Sequence, residues 1–128
     1  MASKESVWTG SPVANAPYTP GIKAGALVFV SGQVPLDPAT RAIVVGDFED
    51  RVRQWIANVE SVLRAAGATL DDVVKVTVFL TDMNCFSRLN AVYGEYWGDV
   101  KPARSCVQVA ALPLGVDVEI EAIAVLSG

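Results

Sequence analysis

Few side chains in this chain can carry chemistry. Histidine is absent from all 128 residues. His-ligated zinc sites, Ser-His-Asp triads and His-pair proton transfer are therefore excluded. Arginine, carboxylates, cysteine, tyrosine, serine and the main chain remain. Arg104 stands at the head of an extended segment, directly after Pro102-Ala103. Its planar fork of donors suits a carboxylate or phosphate in bidentate geometry. The structural alternative is an ion pair with Glu119 or Glu121 on a neighbouring strand. Cys106 lies two residues on, so strand alternation puts it on the face of Arg104. It is a nucleophile, a small buried apolar residue, or a backbone N–H and C=O offered to a substrate or water. With no histidine to draw off its proton, a thiolate there depends on Arg104 or a helix end. Glu119 and Glu121 alternate with apolar residues. Either one works as a general acid/base at a partly buried interface, or the pair forms a solvated or ion-paired face.

Three further positions are weaker. Tyr18 sits in the proline-bounded loop Pro17-Tyr18-Thr19-Pro20-Gly21, where an aromatic side chain is either a lid or a pin. Ser31-Gly32 ends an apolar run; glycine there allows close approach of the backbone to a ligand, or simply a turn. Asn90 falls on a helical stripe between Phe86 and Tyr93, and a polar residue in that position needs a partner, structural or ligand. The sequence has no G-x-G-x-x-G, no P-loop and no C-x-x-C.

These residues must be positioned by alternating strands and helices. Residues 26–31 (ALVFVS) read as a buried strand and 73–81 (VVKVTVFLT) as another. In the latter, Val74, Val76, Val78 and Leu80 are expected on one face. Residues 104–109 and 117–126 read as the last two strands. Residues 6–9 and 42–45 read as short strands. Helical spacing of Phe48, Val52, Ile56, Val59 and Leu63 predicts a helix over 47–66, capped by Asp47 and followed by Gly67. A second helix is expected from Asp82 or Asn84 to near Trp97, with Gly98 after it. Two helices cover only one face of a sheet. The other face still carries Phe79, Ile123 and Val125, so a symmetric homo-oligomer is expected to bury it, with binding clefts between subunits.

The length fits one domain spanning residues 1–128. Apolar residues make up 52% of the chain, which is high for a small monomer and again points to a covered face. The net charge of −4 and the absence of any Lys/Arg run argue against nucleic acid as a partner. Two cysteines, Cys85 and Cys106, make no disulfide framework and suit a reducing compartment. The polar first sixteen residues carry neither signal-peptide nor transit-peptide features, and no apolar run reaches membrane-spanning length. A cytoplasmic location is expected, a mitochondrial one being left open.

Together the residues form a recognisable pattern. The run Pro102-Ala103-Arg104-Ser105-Cys106-Val107-Gln108-Val109-Ala110, then Leu112-Pro113, then Val118-Glu119-Ile120-Glu121-Ala122-Ile123-Ala124-Val125, closely resembles the signature of the RidA/YjgF family. Pro17 to Gly21, Val30-Ser31-Gly32-Gln33 and Asn90-Ala91-Val92-Tyr93 also match in order and spacing. The resemblance extends from about Pro17 onward. It implies a chorismate-mutase-like α+β fold, one mixed sheet with two helices packed on one face, assembled as a homotrimer with three inter-subunit clefts. It implies hydrolysis of reactive 2-imino or 2-enamino acids, such as 2-iminobutanoate and 2-iminopropanoate, to 2-keto acids and ammonia. Such a reaction protects pyridoxal-phosphate enzymes and uses no metal and no organic cofactor. Carried over, Arg104 pairs with the substrate carboxylate, and the Cys106 backbone binds the imine or positions water. Glu119 hydrogen-bonds that water or relays protons. Tyr18 closes the cleft, and Ser31, Gly32 and Asn90 line it. One departure is visible: Arg41 follows Thr40 where the family often has glycine. Two other readings stay open on the same fold. One is an RNA-directed endoribonuclease or translation inhibitor; the other is a non-catalytic small-molecule-binding module.

Overall fold

In the computed structural model, which describes residues 3–127, the chain runs β1 (Lys4–Val7), β2 (Gly21–Ala24), β3 (Leu27–Gln33), α1 (Phe48–Ala65), β4 (Val73–Leu80), α2 (Phe86–Tyr93), β5 (Ala103–Gln108) and β6 (Val118–Val125). The six strands form one sheet in the order β1-β2-β3-β6-β4-β5. Only β4 and β5 pair in parallel, with α2 in the connection between them; every other pair is antiparallel. This is the expected α+β architecture, a mixed sheet with both helices contributing to one core.

The core lies between the helices and one sheet face. Val52, Trp55, Ile56, Val59, Val62 and Leu63 of α1 are buried against Val28, Val30, Val76, Val78, Leu80, Val118, Ile120, Ala122 and Ala124. The period of two along each strand and the helical spacing along α1 meet in one layer. Asp47 caps α1, accepting from the Asp50 N–H at 2.9 Å. Gly67 ends it in the left-handed region at φ 87°, where a Cβ is disfavoured.

Four expectations are corrected. The strand expected at 6–9 is β1 at Lys4–Val7. β2, for which the sequence pattern predicts no element, begins where the proline-bounded loop ends at Gly21. β2 is only four residues long and follows Pro20 directly, so punctuation hid it. The strand expected at 42–45 reduces to a single bridge, Leu36 to Ile43. There the Asp37 side chain accepts from the N–H groups of Ala39 and Thr40, and such local bonds compete with a ladder. α2 ends at Tyr93, one turn before Trp97, because Gly94 begins a run of tighter turns. Finally, a register shift between Val73 and Lys75 buries Val73 and leaves Val74 46% exposed. Beyond this bulge Val76, Val78 and Leu80 share the core face as expected.

The turn at Arg41 uses the left-handed conformation that glycine favours. Arg41 adopts φ 64°, and its N–H bonds the Asp37 carbonyl at 2.8 Å. A left-handed conformation costs a non-glycine residue roughly 1 kcal/mol. Arg41→Gly relieves that strain but gains unfolded-state entropy. A small net rise in melting temperature with unchanged turnover is expected, measurable by scanning calorimetry.

Candidate active site

The residues singled out from the sequence fall into two groups on opposite faces of the sheet. Cross-strand partners share a face. Arg104 is paired with Val76 and Cys106 with Val78, so both belong to the helix side. Glu119 is paired with Phe79 and Glu121 with Thr77, so both belong to the open side. The ion pair between Arg104 and either glutamate is therefore absent; among the described residues, Arg104 forms no salt bridge and no side-chain hydrogen bond.

On the helix side, α2 supports Arg104. The guanidinium carbon lies 4.7 Å from the Tyr93 ring centroid and 5.5 Å from that of Phe86. Asn90 stands between these rings on the same helical face; its carbonyl accepts from the Gly94 N–H at 3.0 Å, and no hydrogen bond of its amide is found among the described residues. The helix itself is pinned. Arg88 donates to both carboxylate oxygens of Glu49 on α1, at 2.9 and 2.6 Å. Tyr93 packs on Trp97 at 4.6 Å, and the Trp97 indole donates to the Leu70 carbonyl at 2.8 Å. Burial pushes the Tyr93 phenol up to about 12, only partly opposed by Arg104. Burial also raises the Cys106 thiol, against a smaller opposing effect of Arg104. Cys106 thus stays a thiol near neutral pH, which argues against its use as a nucleophile.

On the open side, Gly32, Glu119 and Ser31 form the second group. A Cβ built on Gly32 would lie 3.0 Å from both the Glu119 carboxyl carbon and one of its oxygens. The carboxylate packs directly over the backbone there, and a side chain at position 32 would require it to give way. Burial, and then repulsion from Glu121, raise the Glu119 carboxyl above its ordinary value. Ser31 lines the open-side hollow and also holds a neighbouring loop. Its hydroxyl donates to the Thr19 carbonyl at 2.5 Å, and its N–H donates to Pro20 at 2.9 Å. Ser31 therefore fastens the loop carrying Tyr18, whose side chain is 65% exposed. Next to these residues is an open hollow of about 300 Å³, lined among others by Ile22, Phe29, Lys75, Thr77, Glu121 and Ile123.

Phe86 and Tyr93 were legible only as a buried helical stripe. Their place under Arg104 depends on how α2 crosses β5, which no local pattern encodes. The described residues contain no group of three or more His, Cys, Asp or Glu able to hold a metal ion, and no described helix is long and apolar enough to cross a membrane.

The fold is a six-stranded mixed sheet with Arg104 on its edge strand, and known proteins share it. The family model described as endoribonuclease L-PSP matches residues 9–126, and the chain belongs to this family, the YjgF/RidA family. It is 51% identical over 122 residues to a RutC family protein of Pyrococcus horikoshii, covering 94% of this chain and 97% of that one. It is 44% identical over 126 residues to the 2-iminobutanoate/2-iminopropanoate deaminase of Salmonella typhimurium, covering 96% and 98%. Among solved structures, Escherichia coli TdcF with bound serine superposes with a TM-score of 0.87 at 42% identity, covering 96% of this chain and 99% of that one. The family at this level of identity supports reactive-intermediate deamination, although its members carry varied names.

Proposed function

We propose that this protein hydrolyses 2-imino and 2-enamino acids, 2-iminobutanoate and 2-iminopropanoate among them, to 2-keto acids and ammonia, and so protects pyridoxal-phosphate enzymes from these intermediates. One observation carries the reading: Arg104 is a partly buried cation with no acidic partner among the described residues. Its five N–H donors are free to receive a planar carboxylate. The reacting carbon sits one bond from that carboxylate. A 2-enamino acid first tautomerises to the imine, C3 gaining a proton as nitrogen loses one. Water adds to the C=N carbon and gives a carbinolamine; its C–N bond then breaks, the electron pair leaving with nitrogen, and ketone and ammonia result. No electrons are exchanged with a partner. Positioning and proton transfer suffice. The Cys106 backbone holds the imine or the water. Glu119, its carboxyl raised by burial, accepts a proton from water and returns one to the departing nitrogen.

The two groups of residues meet across copies of the chain. Arg104, Cys106 and Asn90 come from one copy; Tyr18, Ser31, Gly32 and Glu119 come from the next. The uncovered open face supports this: Leu27, Phe29 and Val125 are exposed there and Ile123 half-buried. Apolar side chains of this kind on a sheet face favour burial against another subunit. A homotrimer with three such clefts satisfies both requirements. The test mixes the protein with threonine dehydratase and threonine while semicarbazide competes for the imine. Suppressed semicarbazone formation is expected. An unchanged signal would leave a keto-acid-binding module on the same fold. The family's description favours a second reading, cleavage of RNA; steep salt-dependent RNA binding would bring it forward.

A further inference from the structure

Arg104 is held in an unusual way for a half-buried arginine. Such a side chain ordinarily meets a carboxylate, yet its contacts here are the faces of two rings, Tyr93 at 4.7 Å and Phe86 at 5.5 Å. An aromatic face attracts the cation without consuming its N–H groups as a carboxylate does. The donors stay available while the side chain loses freedom. Both rings lie on one face of α2, two turns apart, and α2 is fixed by Arg88–Glu49 and by the packing of Tyr93 on Trp97. These contacts brace the platform within the chain itself, without any ligand. An arginine with no such support would lose rotamer freedom on each binding event. The Tyr93 phenol, pushed up to about 12 by burial, remains neutral, so its ring acts as a quadrupole and not as a counter-ion.

We infer that Phe86 and Tyr93 are positioning residues that pre-orient the Arg104 guanidinium for a carboxylate ligand. The inference rests on the proposed role of Arg104 and goes beyond it. Phe86 is 37% exposed and can be changed with little effect on the core. Tyr93 is buried and shared with the core, so Phe86 is the better probe. The measurement is the dissociation constant of 2-oxobutanoate, by titration calorimetry on the full-length protein in its native assembly. Phe86→Leu keeps the apolar bulk and loses the quadrupole. It is expected to weaken binding about 3- to 10-fold, the range of a partly desolvated cation–π contact. KM rises in step while kcat is largely kept, and Phe86→Tyr retains wild-type affinity. If Phe86→Leu perturbs folding, a graded series of fluorinated phenylalanines at position 86 decides instead, because fluorination drains the ring face at nearly constant shape. Affinity should then fall stepwise with each fluorine. Equal affinities for the Leu and Tyr variants, or a flat fluorine series, overturn the inference. Arg104→Ala separates the two levels. If it abolishes binding while the Phe86 series is flat, the cradle alone fails. If it leaves binding intact, the role of Arg104 fails and the cradle with it.

Discussion

Arg104→Ala lowers kcat/KM for 2-iminobutanoate by about 10²- to 10⁴-fold, with the fold and assembly intact. The estimate comes from two charge-assisted hydrogen bonds, each worth roughly 1.5–3 kcal/mol, at about 1.4 kcal/mol per decade of rate. The loss falls on catalysis and not on stability, because Arg104 pairs with no carboxylate whose charge would be left buried. Arg104→Lys restores the charge but not the planar fork, so it recovers only part of the activity. Single-turnover semicarbazide competition, run beside thermal melting, measures both quantities. A variant that loses activity only by unfolding would show instead that Arg104 is structural.

Glu119→Gln has opposite effects on activity and stability. Removal of a positioned proton relay typically lowers turnover about 10²- to 10⁴-fold. Stability moves the other way. Burial and the neighbouring Glu121 raise the Glu119 carboxyl, so the folded chain binds its proton more tightly than the unfolded chain. A group raised in this way contributes stability below its unfolded value, near 4.5, and that contribution is lost as pH rises through the folded value. At neutral pH the ionised carboxylate thus destabilises the fold modestly, and the amide does not. Glu119→Gln should melt slightly higher than wild type at pH 7, and the advantage should vanish below about pH 4. Differential scanning calorimetry at the two pH values reads this directly. A variant less stable at pH 7 would mean that Glu119 is a structural hydrogen-bonding partner.

Much of this arrangement is written in local pattern. The alternation of Val76, Val78 and Leu80, the stripe of α1 and the Asp47 cap are short-range signals, and all appear where the sequence puts them. The elements that escaped depend on distant contacts. β2 is four residues whose strand character comes from pairing with β1 and β3. The bulge at Val73–Lys75 is set by how β4 meets β6, and it alone moves Val74 off the core face. The candidate site divides in the same way. Arg104 and Cys106 share a face because they are two residues apart, and this is legible in one strand. That Glu119 lies on the other face of the sheet follows from the register of three strands, with β4 between β5 and β6, and no local pattern encodes it. Ser31-Gly32 was legible as the end of an apolar run; the bond from the Ser31 hydroxyl to Thr19, which ties down the loop of Tyr18, joins residues twelve apart and has no local signal.

The separation of Arg104 and Glu119 onto opposite faces yields the most direct test, complementation between two inactive variants. Arg104→Ala and Glu119→Gln are mixed in equal amounts and allowed to exchange subunits. In a closed ring each cleft takes its arginine face from one copy and its glutamate face from the next. Random assembly then makes about one cleft in four wholly intact. The mixture is expected to recover about a quarter of wild-type imine hydrolysis, while each variant alone stays at background. A mixture that remains at background after demonstrated subunit exchange would contradict this, because a site confined to a single chain cannot be rebuilt from two damaged copies.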